Sequence, residues 1–369
     1  MSDELNTLRR EIDAVDDELI RLFKRRMEIS AKVSAYKRAS GMPTLDAGRE
    51  RKLLARIAEL SGDDFAEYSE SVYRAILAAS RSYQNTLSGS KSRIYALMQE
   101  AIKNTEPLFP SRAAVACVGT DGSTAERICR RLFKLPTIMY FDTAEHALRA
   151  VKTGMCRFAL LEEEARLYDI LAGEFYIARA AAAQEDIVLA ARYGVSETEL
   201  ICSDERGFAQ CRLQSRAEKK YFASMAEAVR YVAEAERIDA AAVCPRFTAE
   251  HYGLKIINDK PSSHAASLRY LCISSKLEIY PGADKSAFMI SLPDRAGELA
   301  RLAERFSALG VNIKRIQSRS AHGREYEAEL YFETDELVYS PALEALLRDI
   351  ESECAEPCYL GSFSEEVCL

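Results

Sequence analysis

The stretch LRREIDAVDDELIRLFKRRMEISAKVSAYK, residues 8–37, places apolar residues alternately three and four positions apart. This spacing predicts one long amphipathic helix that buries a stripe against partner helices. The stripe consists of Leu5, Leu8, Ile12, Val15, Leu19, Leu22, Ile29, Val33 and Tyr36. Arg26 stands where the next apolar residue is due. Because an unpaired guanidinium in such a seam is costly, we expect it to meet either a carboxylate from Glu28, Glu50 or Glu59, or a bound anion.

Other polar side chains at helical spacing favour the bound anion. On an ideal helix, Lys37 lies about 20° in azimuth and roughly 16 Å in height from Arg26, so both can converge on one small dianion. Ser80 and Gln84 share a face of another predicted helix. A middle helix follows the breaker run SGMP, with Asp46 as its predicted N-cap and Arg49 and Glu50 near its start.

The length of the first helix predicts a dimer. Residues 3–39 would span about 55 Å, too long to fold alone around two shorter partners. Arg9 lies about 25 Å from Arg26 along this helix, too far to reach the same pocket from the same chain. Both features are explained if two chains pair and Arg9 enters the pocket of the other subunit.

With this pattern, residues 1–87 resemble the all-helical chorismate mutase family. The family's substrate-binding set falls on Arg9, Arg26, Lys37, Asp46, Arg49, Glu50, Ser80 and Gln84. The implied reaction, chorismate to prephenate, is a Claisen rearrangement that needs no nucleophile, metal, cofactor or proton transfer. It requires binding of the chair-like conformer and stabilisation of charge on the ether oxygen.

The resemblance also assigns a role to each residue. Lys37 and Gln84 would donate to the ether oxygen, and Glu50 would accept from the ring hydroxyl. Arg26 and the Arg9 of a second chain would hold the two carboxylates, supported by Arg49. Asp46 and Ser80 would complete the polar lining. Catalysis is therefore expected to depend most on Lys37, Gln84, Arg26 and Glu50.

Composition fits a multi-domain cytoplasmic protein. The 369 residues, 48% of them hydrophobic, predict two or three domains with sizeable cores. A net charge of −7 argues against a nucleic-acid partner. No stretch resembles a signal peptide, and no apolar run approaches the ~20 residues of a membrane span. The ten cysteines are scattered, without paired CxxC spacing, which favours reduced thiols over disulfides or a metal site.

The pattern changes after residue 90. We predict a helical domain over 1–90, a linker over 91–112, and from residue 113 an alternation of strands and helices typical of a two-lobed α/β domain over 113–280. The run GTDGST at 119–124 offers backbone amides at a helix N-terminus, which suits an anion, although turn geometry alone also explains its glycines.

This second region resembles the prephenate dehydratase family. The resemblance rests on Gly119, Gly122 and Ser123, on Gln210 and Cys211, and on the run AEHYGL at 249–254. The family's active-site motifs are altered. Its Pro-Ile-Glu-Asn-Ser run corresponds to Leu161, Glu162, Glu163, Glu164 and Ala165, and its Ser-His-Pro-Gln to Ser203, Asp204, Glu205 and Arg206. Its Thr-Arg-Phe corresponds to Leu268, Arg269 and Tyr270.

These changes predict a dehydratase-like domain that does not dehydrate. Expulsion of the ring hydroxyl needs a proton donor, which the family's threonine would supply and Leu268 lacks. The neighbouring Ser267 would point to the opposite side of a strand. Glu163 and Arg269 are retained, whereas Glu162 and Glu164 would repel a dianion if they face the cleft.

Residues 284–369 show a βαββαβ order, which predicts a ferredoxin-like α+β unit. This unit resembles the ACT regulatory domain. The resemblance implies an amino-acid effector, with phenylalanine as the candidate, or a role in dimerisation alone. The effector site would comprise Gly297, Glu298 and Leu299 on a turn, and Gln317, Ser318 and Arg319 in place of the family's Glu-Ser-Arg.

Three functions therefore remain open from the sequence. The first is a chorismate mutase with a non-catalytic dehydratase-like domain and a regulatory tail. The second is an intact bifunctional enzyme that makes phenylpyruvate and is inhibited by phenylalanine. The third is an amino-acid-sensing protein in which both activities are vestigial. The complete N-terminal residue set favours the first or second, and Leu268 favours the first.

Overall fold

The structure is a computed structural model of the 369-residue chain. The residues it describes are 2–40, 42, 46–87, 91–164, 167–171, 173–195, 197–211, 216–235, 239–259, 266–293, 296–320, 327–353 and 355–368. They form two compact units, one from Met1–Gln99 with Met289–Pro357 and one from Glu100–Phe288 with Cys358–Leu369. No helix in these ranges combines the length and apolar character that crossing a bilayer requires.

The N-terminal region is helical, as the apolar spacing predicts. Its helices are α1 (Ser2–Ala39), α2 (Ala47–Ser61), α3 (Ala66–Leu87) and α4 (Arg93–Asn104). Asp46 is the N-cap of α2, where its carboxylate accepts a 3.0 Å hydrogen bond from the backbone N–H of Arg49. Helix α4 lies within the predicted linker and buries Ile94 and Met98, so much of that segment is packed structure. The predicted domain boundaries remain predictions.

The apolar stripe of α1 is exposed to solvent in the structure of the single chain. Its nine apolar residues, from Leu5 to Tyr36, are each 43–67% exposed. Helix α1 packs on α3, and its single fully buried residue among those described is Ser34. A stripe of this length exposed to water is unfavourable for an isolated chain.

The α/β region contains two sheets. Its elements are β1 (Ala114–Val118), α5 (Thr124–Leu132), β2 (Thr137–Phe141), α6 (Ala144–Lys152), β3 (Phe158–Glu162), α7 (Leu167–Leu171), β4 (Tyr176–Glu185), β5 (Ile187–Ala191), β6 (Leu200–Ser203), α8 (Glu205–Gln210), β7 (Glu218–Tyr221), α9 (Met225–Glu234), β8 (Ala240–Pro245), α10 (Arg246–His251), β9 (Lys255–Asn258) and β10 (Ala266–Ser274). One lobe is built on a five-stranded sheet with the order β7-β6-β8-β5-β9.

The C-terminal region has the predicted βαββαβ order. Its elements are β11 (Lys285–Pro293), α11 (Glu298–Ala308), β12 (Ile313–Ser320), β13 (Glu327–Thr334), α12 (Pro341–Glu353) and β14 (Ala355–Phe363). The four strands form a sheet with the order β12-β13-β11-β14. Helix α12 packs on α3, where the buried Asn85 donates a 2.8 Å hydrogen bond to the carboxylate of Asp349.

The last strand returns to the α/β region. Strand β15 (Glu365–Cys368) pairs in parallel with β4, which completes a six-stranded sheet with the order β15-β4-β10-β3-β1-β2. Buried residues lie on both faces of that sheet, and the apolar cluster on the face that α5 covers includes Cys117, Ala181, Leu268 and Tyr270. The two sheets belong to the two lobes that the strand and helix alternation predicts.

Candidate functional site

Seven of the eight residues in the predicted N-terminal site line one cavity. The cavity has a volume of about 320 Å³ and lies between α1, α2 and α3. Its charged and polar lining consists of Arg26, Ser30, Lys37, Asp46, Arg49, Glu50, Ser80, Arg81 and Gln84, and its apolar lining of Ile29, Val33, Leu53 and Leu77. The structure therefore brings together residues that are up to 58 positions apart in the sequence.

Hydrogen bonds between helices α1 and α3 hold two of the side chains that line this cavity, Arg26 and Gln84. The Arg26 guanidinium donates to the hydroxyl of Ser80, which itself donates a 2.8 Å hydrogen bond to the carbonyl of Ile76. The Gln84 amide donates to the hydroxyl of Ser30. Burial lowers the pKa of Arg26 from its ordinary value, an effect that the nearby Tyr73 and Glu50 oppose.

The carboxylate of Glu50 is paired with an arginine that the sequence pattern did not identify. Arg81 on α3 donates a 2.5 Å hydrogen bond from Nη1 to Oε1 of Glu50 on α2. Arg26 thus contacts Ser80, while Glu50, one of the three carboxylates expected as its possible partner, binds Arg81. The lining carries four cationic side chains, Arg26, Lys37, Arg49 and Arg81, and two carboxylates, Asp46 and Glu50. The formal excess of two positive charges matches a small dicarboxylate.

Arg9 is not among the described residues that line the cavity. It lies on the exposed N-terminal half of α1, 17 positions before Arg26. At 1.5 Å rise per residue the two are about 25 Å apart along the helix, as the sequence predicts. Any contribution of Arg9 to such a pocket therefore has to come from a second chain.

A second cavity, of about 380 Å³, lies between the two lobes of the α/β region. Four carboxylates line it, from Glu162, Glu164, Glu185 and Asp204, with Arg206 as the cation among its lining residues. Arg206 binds Glu162 at 2.8 Å and Glu185 at 3.4 Å. Burial raises the pKa of Glu185, which Arg206 partly counteracts. Glu162 and Glu164 do face the cleft, so its lining is acidic.

Tyr270 borders the same cleft. Its hydroxyl lies 3.4 Å from Oε2 of Glu162, as a hydrogen-bond donor. Burial and the charge of Glu162 raise the pKa of this phenol well above its ordinary value. The hydroxyl therefore stays protonated and can act only as a weak acid at neutral pH.

The residues that replace the family's Thr-Arg-Phe motif lie on β10. Leu268 is buried in the apolar core of this lobe, opposite Ala183 of β4, and Ser267 is exposed on the other face. The buried Arg269 binds two carboxylates, Glu163 at 3.0 Å and Glu365 of β15 at 2.6 Å. Glu163 also accepts a hydrogen bond from the hydroxyl of Tyr168. Ala165, which matches the family's serine, is outside the described residues.

The predicted effector residues occupy two places in the C-terminal region. Gly297, at φ +90°, precedes α11, and Glu298 in the first turn pairs with Arg301 at 3.2 Å. Leu299 is 48% exposed. Gln317, Ser318 and Arg319 lie on β12, opposite Tyr331, Leu330 and Glu329 of β13.

Comparisons with known proteins identify all three regions. The family model for chorismate mutase type II matches residues 8–85, that for prephenate dehydratase matches 115–277, and that for the ACT domain matches 286–351. A bifunctional chorismate mutase/prephenate dehydratase of Aquifex aeolicus is 22% identical over an alignment of 380 positions, which covers 98% of this chain and 98% of that protein. The chain belongs to the bifunctional chorismate mutase/prephenate dehydratase family.

Solved structures share the fold of about two thirds of this family member. A prephenate dehydratase in complex with L-Phe from Arthrobacter aurescens has a TM-score of 0.60 and 25% identity, and covers 68% of this chain and 89% of its own. GqqA, described as a novel type of quorum-quenching acylase, has a TM-score of 0.62 and 19% identity, and covers 68% of this chain and 97% of its own. A shared fold does not by itself determine the chemistry.

Two polar residues of this cavity, Ser30 and Arg81, lie outside the predicted set, and for the charged one, Arg81, the sequence of this family member does hold a signal. Ala78, Arg81 and Asn85 are spaced three and four residues apart on the buried face of α3. A charge in such a stripe is the same signal that identified Arg26. Among the described residues, no group of three or more His, Cys, Asp or Glu side chains is arranged to hold a metal ion.

Proposed function

We propose that this protein is a chorismate mutase that converts chorismate to prephenate in the cavity between α1, α2 and α3. The observation that carries this proposal is the convergence of Arg26, Lys37, Arg49, Glu50 and Gln84 from three helices on one cavity with two excess positive charges. The direct test is turnover of chorismate by the purified full-length protein, followed as loss of its absorbance. Absence of enzyme-dependent loss would exclude this function.

The proposed mechanism uses binding and electrostatics alone. Arg26, fixed by Ser80, and Arg49 hold the substrate carboxylates and favour the compact chair-like conformer. Lys37 and Gln84 donate to the ether oxygen, whose negative charge grows as its bond to carbon breaks. These donors are positioned before the reaction begins. They stabilise the transition state more than the ground state, because the negative charge on the ether oxygen is larger in the transition state.

We also infer that the protein works as a homodimer in which Arg9 completes the pocket of the partner. The uncovered stripe of α1 supports this inference, since a second copy would remove it from water. Arg9 would then add a third excess positive charge to each pocket, and would hold the second substrate carboxylate.

For the dehydratase-like domain, we propose that it does not dehydrate prephenate. Leu268 packs into the core and has no proton to donate. Arg269, the cation retained from the family motif, is already bound by Glu163 and Glu365. Carboxylates line the cleft, and they disfavour a dianionic ligand there.

This proposal predicts the effect of restoring the family's side chains. Leu268→Thr should give a trace of phenylpyruvate from prephenate, since a hydroxyl donor returns to the site. Adding Glu164→Asn and Ala165→Ser should increase that rate, because one repelling charge is removed. A missing proton donor costs about 10²–10⁴-fold, so the gain is measurable against a low baseline. Product formation is followed at neutral pH, because prephenate aromatises spontaneously in acid.

The matched control for this experiment is Leu268→Val, which has the shape of threonine without its hydroxyl. It should stay inactive while losing about as much core packing. Equal activity of the Val and Thr variants would contradict a role for the hydroxyl. Robust phenylpyruvate formation by the unmodified protein would show that the donor lies elsewhere, and Ser267 and the cleft-lining Tyr270 would be the first to substitute.

We propose that the ACT region regulates the enzyme, with phenylalanine as the candidate effector. The dehydratase of known structure from Arthrobacter aurescens was solved in complex with L-Phe, which supports this candidate. Helix α12 of the ACT region contacts α3 through Asp349 and Asn85. Since α3 also carries Ser80 and Gln84, this contact supports a route by which effector binding would act on the mutase cavity. Titration of L-phenylalanine into the chorismate assay decides whether it is the effector.

A further inference from the structure

Arg81 is a buried cation at the edge of the mutase cavity. It follows Ser80 on α3, and only 9% of its side chain is exposed. Its Nη1 atom lies 2.5 Å from Oε1 of Glu50, whose side chain is 22% exposed. The pair joins α3 to α2 across 31 positions of sequence. Both residues line the cavity.

The partner of Arg81 is the residue proposed to accept from the ring hydroxyl of the substrate. A carboxylate has two oxygens, each able to accept hydrogen bonds. Because Arg81 occupies one acceptor position of Oε1, Oε2 is the better placed oxygen to accept from the ring hydroxyl. The bond to a guanidinium held in a helix fixes the rotation of the carboxylate, and it does so before substrate arrives.

Arg81 also compensates a charge that would otherwise oppose binding. The cavity is proposed to bind the dianionic substrate, and the negative charge of Glu50 repels the two substrate carboxylates. The other charged groups lining the cavity are Arg26 and Lys37 of α1 and Asp46 and Arg49 of α2. Removing one partner of a buried ion pair is more harmful than removing both, because it leaves an uncompensated charge.

We propose that Arg81 is a positioning residue for the mutase reaction, acting through Glu50 by orienting its carboxylate and compensating its charge. This role rests on the proposed mutase function. It differs from a direct role in attracting the substrate, which would not depend on Glu50. A double-mutant cycle separates the two, since coupled residues give non-additive effects.

The experiment compares the full-length protein with Arg81→Leu, Glu50→Gln and the double variant. Arg81→Leu should lower kcat/KM for chorismate about 30-fold, mainly through a higher KM, because a bare Glu50 repels substrate in both ground and transition states. In the Glu50→Gln background, the same substitution should change kcat/KM by less than about threefold. Arg81→Lys should recover part of the loss, since it restores the charge without the planar fork.

The matched control is Arg74→Leu on the same helix. Arg74 pairs with Glu70 at the surface, where its side chain is 39% exposed, and it does not line the cavity. This variant should keep unmodified kinetics, and circular dichroism should show that all variants are folded. If Arg81→Leu lowers kcat/KM equally in the unmodified protein and in the Glu50→Gln background, the proposed role is overturned. Unchanged kinetics of Arg81→Leu would also overturn it. Absence of turnover by the unmodified protein would overturn the mutase function itself.

Discussion

Substitution of Arg26 by alanine is expected to lower kcat/KM for chorismate by about 10²–10³-fold, the usual cost of removing a preorganised charge from an active site. The helical region should stay folded, because the guanidinium lines the cavity and bonds to Ser80 and is not packed in an apolar core. The measurement is steady-state turnover with circular dichroism of the same sample.

Arg25→Ala is the matched control for this prediction. Arg25 is the preceding residue of α1, is exposed and does not line the cavity. Its loss removes the same charge from the same helix and should leave turnover near the unmodified rate. Full-rate turnover by Arg26→Ala, or equal losses in the two variants, would contradict the assignment of the site.

The second large effect on activity is expected because each pocket is proposed to contain residues from both subunits. Arg9→Ala and Lys37→Ala proteins should each lose about 100-fold or more in kcat/KM, because each removes a cation from every pocket. Unfolded together and refolded, they should recover about a quarter of the unmodified activity. Random pairing makes half of the dimers mixed, and each mixed dimer has one pocket with both residues intact.

The control for the mixing experiment replaces Arg9→Ala with Arg10→Ala, one position along the same exposed surface. Arg10→Ala should be active before mixing, which shows that the recovery depends on the position of Arg9. Native mass spectrometry should establish that mixed dimers form. If they form and activity does not return, Arg9 does not cross between subunits.

The sequence predicts on which helix faces the candidate site residues lie, because this information is local. An apolar spacing interrupted by Arg26, and pairs at helical spacing such as Ser80 and Gln84, place side chains on helix faces without knowledge of the tertiary fold. The spacing also predicts that Arg9 lies away from the pocket. The position of Arg81 in a buried stripe is also a local signal, but its pairing with Glu50 is not predictable from the sequence, because α2 brings Glu50 next to it from 31 positions away.

The sheet of the α/β region was harder to predict. Strand β4 contains the run AAAA at 180–183, which has strong helix propensity, yet pairing with β10 and β15 on either side makes it a central strand. Strand β15 and its Glu365 carboxylate reach Arg269 across 96 positions. No periodicity in a single sequence shows such a contact, so the neutralisation of Arg269 became visible only in the fold.

The most direct test of this account is the product mixture that the intact protein makes from chorismate at neutral pH. Purified full-length protein is incubated with chorismate, and chorismate, prephenate and phenylpyruvate are separated by chromatography over time. We expect chorismate to disappear at an enzyme-dependent rate, and prephenate to accumulate in nearly equal amount with little or no phenylpyruvate. Accumulation of phenylpyruvate as the main product, or no loss of chorismate above the uncatalysed rate, would contradict the account.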